Sequence, residues 1–228
     1  MDGAFAAIDL SLWVLCALLL ILFARSLRKY SVSHSRVELM WGGGLALAAA
    51  AMAVEAIVFL GAVSSPLLQA YVFCSAAIVG VLSLGATRVL KSPRLERAYT
   101  AYVAATCAMV GAASFLTPLP SSMVSGGIIT GNPPLLLLVL STLVTGPATI
   151  VLLTASAVSL RRSRKWQNLL MIAGALILGA GGTLYIASFP VALYYAEFLG
   201  IVLLFFGLIS LPSVNAAKMA VAGSAPTH

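Results

Sequence analysis

The chain has 228 residues, of which 61% are hydrophobic and only 8% charged, and its mean hydropathy is +1.08. A soluble domain carries about 25% charged residues, so this composition excludes a water-soluble globule and points to an integral membrane protein. The net charge of +7 would suit a nucleic-acid binder, but no aromatic interleaving or binding module accompanies the basic residues.

Seven apolar runs are long enough to span a bilayer, which takes about 20 residues: 8–25, 40–61, 68–89, 99–117, 134–160, 168–188 and 191–211. The opening "MDGAFAAIDLSLW" has acids and no basic stretch before the first run. That is the wrong polarity for a cleaved signal peptide, so the run is expected to be a retained helix, with Asp9 near its outer end. Arg25, Arg28, Lys29 and Arg36 follow it. The second run carries Glu55 within "AAMAVEAIVFLG", and Gly44, Ala48, Ala51 and Glu55 share one helical stripe. Small residues mark faces where membrane helices approach closely, so this acid should point into protein.

Arg88, Lys91, Arg94 and Arg97 separate the third and fourth runs. The fourth is followed by an uncharged connection, "TPLPSSMVSGGIITGNPP", whose Pro and Gly residues favour turns over a further span. Pro147 lies near the middle of the fifth run, where it removes a backbone donor and should kink the helix, as a structural bend or as a hinge. Arg161, Arg162, Arg164 and Lys165 come next, and Lys218 follows the seventh run. Every Lys and Arg therefore falls on one side of the seven runs. The positive-inside rule makes that side cytoplasmic, with the N-terminus outside and the C-terminus inside. These loops set topology and contact anionic lipid.

The seventh run, "YYAEFLGIVLLFFGLISL", contains Glu197, in a stripe with Gly200 and Gly207. Laid over one another, 37–57 and 167–186 place Gly44 opposite Gly174, while 68–80 matches 194–206. This suggests a 3+1+3 parallel repeat, 8–89 and 134–211, with 99–117 as linker. It sets Glu55 opposite Tyr185 and Glu197 opposite Tyr71, so that two acids and two tyrosines would form one cluster in the outer half. Burial away from charge disfavours an ionised carboxyl, and a tyrosine hydroxyl is a suitable partner. Two readings stand side by side. One is a hydrogen-bonded clamp between helices, and the other a ligand or proton site.

Cys16, Cys74 and Cys107 are isolated in apolar runs, without a Cys-x-x-Cys pair, and read as packing residues. His34 and His228 lie in a loop and at the terminus. They offer no intramembrane bis-His haem, His-ligated zinc hydrolase or Ser–His protease. No Walker A motif occurs. No metal, cofactor or catalytic residue is expected.

Seven helices with an external N-terminus resemble microbial rhodopsins, which implies retinal on a lysine of the last helix. Residues 191–211 hold Glu197 and no lysine, so covalent retinal is excluded. The 3+1+3 layout resembles sugar transporters of the SWEET type, but lacks the Pro-Gln signature of their relatives. The stretches "NLLMIAGALILGAGGTLYI" and "LYYAEFLGIVLLFFG" are most similar to uncharacterised prokaryotic seven-helix membrane proteins. That resemblance implies topology and no activity.

The expectation is one all-α transmembrane domain over 1–228, a multi-pass protein of the cytoplasmic membrane. Its partners would be the lipid bilayer and other membrane subunits or further copies of itself, with no nucleic acid. Three functions fit: a non-enzymatic subunit or receptor-like module, a proton-coupled small-solute transporter, or a sensor that binds an apolar ligand noncovalently.

Overall fold

A computed structural model describes residues 2–87, 92–129 and 133–163, with helical residues also at 166, 169–170, 172–174, 176–177, 196, 199–203 and 206. The protein is nearly all helical. Five helices, α1 (Asp2–Ser33), α2 (Arg36–Phe59), α3 (Ser65–Thr87), α4 (Pro93–Leu116) and α5 (Leu135–Ser163), are long and apolar enough to cross a membrane.

Four of these helices, α1, α2, α4 and α5, overrun the apolar runs at their basic ends. The first run stops at 25 and α1 continues to Ser33; α2 begins at Arg36 and α4 at Pro93, several residues before their apolar stretches. The apolar run marks where lipid is contacted, not where hydrogen bonding stops. Arg, Lys and Glu are good helix formers, and long basic side chains can carry their charge into the interface from a continuing helix.

Contacts show that successive helices alternate in direction. Ser26 Oγ on α1 donates to the Glu38 carbonyl of α2 over 2.7 Å, and Ser83 on α3 hydrogen-bonds the Tyr99 hydroxyl of α4 over 2.7 Å. Ala86 of α3 packs with Leu152 and Ala155 of α5. The end of α1, start of α2, end of α3, start of α4 and end of α5 therefore share one end of the bundle. Arg25, Arg28, Lys29, Arg36, Arg94, Arg97 and Arg161 all lie toward it, and it is called the basic end below.

Helix α3 is the hub, packed against α2, α4 and α5, while α1 lies on the far side of α2. Close approach depends on missing side chains. A Cβ on Gly44 would come within 2.5 Å of Leu82, and one on Gly80 within 2.8 Å of Val144 and 3.4 Å of Val103. Two larger clusters result. One joins Leu12, Leu15 and Leu19 of α1 to Leu45, Ala49, Met52 and Ala56 of α2, and includes Ile201 from the seventh run. The other joins Ala51, Val54 and Val58 of α2 to Leu68, Tyr71, Val72 and Cys74 of α3 and Leu137 of α5. Cys16 and Cys74 are free thiols buried in these clusters, and Cys107 is a half-buried free thiol.

The uncharged connection after α4 folds as turns. Following Thr117 it makes a 3-10 turn at Ser121–Met123 and a two-stranded antiparallel hairpin, β1 (Val124–Ser125) with β2 (Ile128–Ile129). Gly126 and Gly127 form its two-residue loop with φ of 61° and 79°. Left-handed backbone at both central positions is what a tight hairpin turn needs, and glycine adopts it without steric cost.

Candidate functional sites: a buried acid and an alanine face

The stripe on α2 faces protein along its length. Gly44, Ala48, Ala51 and Glu55 are all buried, and Glu55 is only 2% exposed. Helix α2 can bury so much because α1 and α3 cover it from two sides. Met52 and Ala56 belong to the cluster on the α1 side, while Ala51, Val54 and Val58 belong to the one on the α3 side. Glu55 is thus set between two apolar clusters.

Tyr71, 6% exposed, sits in the second of these clusters. It follows the start of α3 by six residues, about 9 Å along the axis, and Glu55 precedes the end of α2 by four, about 6 Å. Two of the four expected site residues therefore lie on neighbouring antiparallel helices at similar depth. Glu197 and Tyr185 fall outside the described residues, as does much of the second repeat beyond Ser163. Of the stripe shared with Glu197, Gly200 is buried; Gly44 and Gly174, paired by the repeat, are both buried.

Pro147 lies inside α5, and the helix runs through it from Leu135 to Ser163. A proline has no N–H to offer the carbonyl four residues earlier, here that of Leu143. The Tyr102 hydroxyl of α4 donates to the Leu143 carbonyl over 2.6 Å. In a bilayer no water is at hand for an orphan carbonyl, and a neighbouring helix is the remaining source of a donor. Tyr102 was not singled out by sequence, although a tyrosine in an adjacent span is the type of residue the proline demands.

Among the described residues, helix α4 is held by polar contacts to α3 and α5. Tyr99 bonds Ser83 of α3, Tyr102 bonds α5, and the two rings stack with centroids 6.2 Å apart. Gly111 lets Phe73 of α3 approach, 3.2 Å from where a Cβ would stand. The opposite side carries Ala98, Ala101, Ala105, Ala108 and Ala112, all exposed. Their spacing alternates three and four residues, and they cover about 21 Å of axis. Leu95, Tyr102, Met109 and Leu116, each seven residues after the last and all exposed, form a ridge beside them. The face is a shallow alanine groove with a bulky border.

The outward faces of α1 and α5 are built otherwise. Helix α1 exposes Leu10, Trp13, Val14, Leu20, Ile21 and Leu27, and α5 exposes Leu135, Leu136, Val139, Leu143 and Ile150. These are residues for lipid chains.

No protein-family model matches the chain, and no curated protein or solved structure shows significant similarity to it.

Proposed function

We propose that the protein is a non-enzymatic subunit of a membrane assembly, seven-spanning with its basic end in the cytoplasm, and that α4 carries its docking face. The exposed alanine groove is the observation that supports this most. Lipid chains are as apolar as leucine, so association within a bilayer relies on close packing, and small residues permit it. A stripe repeating every 3.5 residues is the pattern of a left-handed helix pair. At about 21 Å it would serve a partner helix over most of the roughly 30 Å hydrocarbon layer.

Native mass spectrometry of protein released gently from its own membrane tests the reading. A co-released polypeptide or second copy, cross-linked through α4, is the expected result. A lone monomer that moves solute in liposomes would overturn it.

A second reading is supported by Glu55. Intramembrane carboxyls often mark ion or proton pathways, and one 2% exposed between helices, near the depth of Tyr71, suits a proton-coupled small-solute transporter. Glu197 and Tyr185 would complete that site. In reconstituted protein, Glu55→Gln should abolish pH-dependent flux; unchanged flux would leave Glu55 as a clamp.

A further inference from the structure

The hairpin between α4 and α5 is seated on the end of the bundle remote from the basic residues. The Gln69 side chain of α3 donates to the Thr117 carbonyl over 2.9 Å, and the Leu119 N–H donates to Ser65 Oγ over 3.0 Å. Leu119, Met123, Ile128 and Ile129 are all buried. At the turn, Gly127 lies so close to the end of α2 that a Cβ on it would stand 3.2 Å from the Phe59 carbonyl oxygen.

Successive residues of a strand point to opposite sides, and here that alternation straddles α2. Ile128 enters the cluster with Met52 and Ala56, whereas Ile129 enters the cluster with Val54, Val58 and Tyr71, together with Leu119 and Met123. These are the two clusters that flank Glu55. The last turns of α2, which carry Glu55, are therefore bracketed by neighbouring residues of one strand.

We propose that this hairpin is a movable plug, and that its displacement lets water, and with it a proton, reach Glu55 from the end remote from the basic residues. The proposal rests on Glu55 being a working group, as in the second reading above. The hairpin has only two residue pairs, too few to hold its shape alone. Its seat depends on burial of those apolar side chains and on the two hydrogen bonds to α3. Helices α2 and α3 need not separate for it to lift.

The test uses the full chain in lipid nanodiscs, a water-soluble carbodiimide with glycinamide, and peptide mapping of labelled carboxyls. Glu38 and Glu96, at the basic end, serve as internal references. In the native chain Glu55 is expected to react far more slowly than Glu38. Gly126→Val with Gly127→Val puts β-branched residues at left-handed positions and should unseat the turn, raising Glu55 labelling at least about tenfold. Ser65→Cys with Leu119→Cys, oxidised to a disulfide, should lower labelling below the native rate, and reductant should restore it. Glu55 reacting as fast as Glu38 in the native chain would overturn the plug. So would equal labelling of the oxidised and reduced cysteine pair, which remains informative even if the turn variant does not fold. Failure of Glu55→Gln to alter flux, with labelling as expected, would instead retire the transport reading and the proton path that rests on it, leaving only the hairpin's control of water access to Glu55.

Discussion

Helices α4 and α5 lie side by side, and the most apolar stretch of each is 22% buried, yet their outward surfaces differ in kind. Helix α5 turns Leu135, Leu136, Val139, Leu143 and Ile150 outward, while α4 turns out five alanines in a three–four alternation. Equal exposure does not imply equal purpose. Bulky aliphatic side chains fill space beside mobile lipid chains, whereas an alanine groove gives lipid little to hold and admits another helix closely. Helix α4 is fastened to α3 through Tyr99 on its inward side, and to α5 through Tyr102 at the border of the groove. One side is tied down and the other is left smooth.

The comparison breaks most directly by exchanging the two kinds of surface. Ala105→Leu with Ala108→Leu would fill the groove, and partner association is expected to fall at least about tenfold, close to 1.4 kcal/mol. Leu136→Ala with Val139→Ala on α5 should leave it within about twofold. Native mass spectrometry of both variants reads the difference, and an equal loss from the two would erase the distinction between the faces.

The tie between the helices comes next in size. Tyr102→Phe strands the Leu143 carbonyl and should cost about 1–3 kcal/mol of stability, read as a lower melting temperature in detergent. Pro147→Ala returns a donor within α5, so the tyrosine change should cost much less in that background. A double-mutant cycle without coupling would show that Tyr102 serves some other end.

A smaller effect of opposite sign is expected at Ser114. It is fully buried on α4, and its Oγ has no hydrogen-bond partner among the described residues. Ser114→Ala should be neutral or raise stability by up to about 1 kcal/mol. A clear loss in the thermal melt would place a bound water or a partner's polar group at that hydroxyl. Last, Gly146 on α5 has nothing within 4 Å of an added Cβ. Gly146→Ala should gain a few tenths to about 1 kcal/mol from helix propensity and leave association unchanged, in contrast to the enlarged alanines of α4.

Much of this was legible from residue types alone. Seven apolar runs and one-sided charge set out the spans and their expected direction, and the first five are helices that can cross a membrane. The burial of Glu55 followed from its stripe, because Gly44, Ala48 and Ala51 lie on the same face and only protein has a use for that smoothness. Glycine and proline in the fourth connection marked turns, and the Gly126–Gly127 loop is where that signal resolved into a hairpin. The seat of that hairpin was not legible. Ile128 and Ile129 are two apolar residues in a loop until α1, α2, α3 and α5 come together to receive them.

Period and charge are local properties, and they act before any helix has met another. They determined that this chain has helices apolar enough to cross a membrane, about where the first five run, and which of their ends gather together. Which face of a helix remains unoccupied is a property of neighbours. The alanines at 98, 101, 105, 108 and 112 could equally have faced α3. Only the tertiary structure decided that α4 turns Tyr99 and Gly111 inward instead, with Tyr102 at the border. The Tyr99 hydroxyl gains a partner in Ser83 by turning inward and a close helix contact needs a missing side chain, whereas an alanine can face outward without leaving a polar group unpaired.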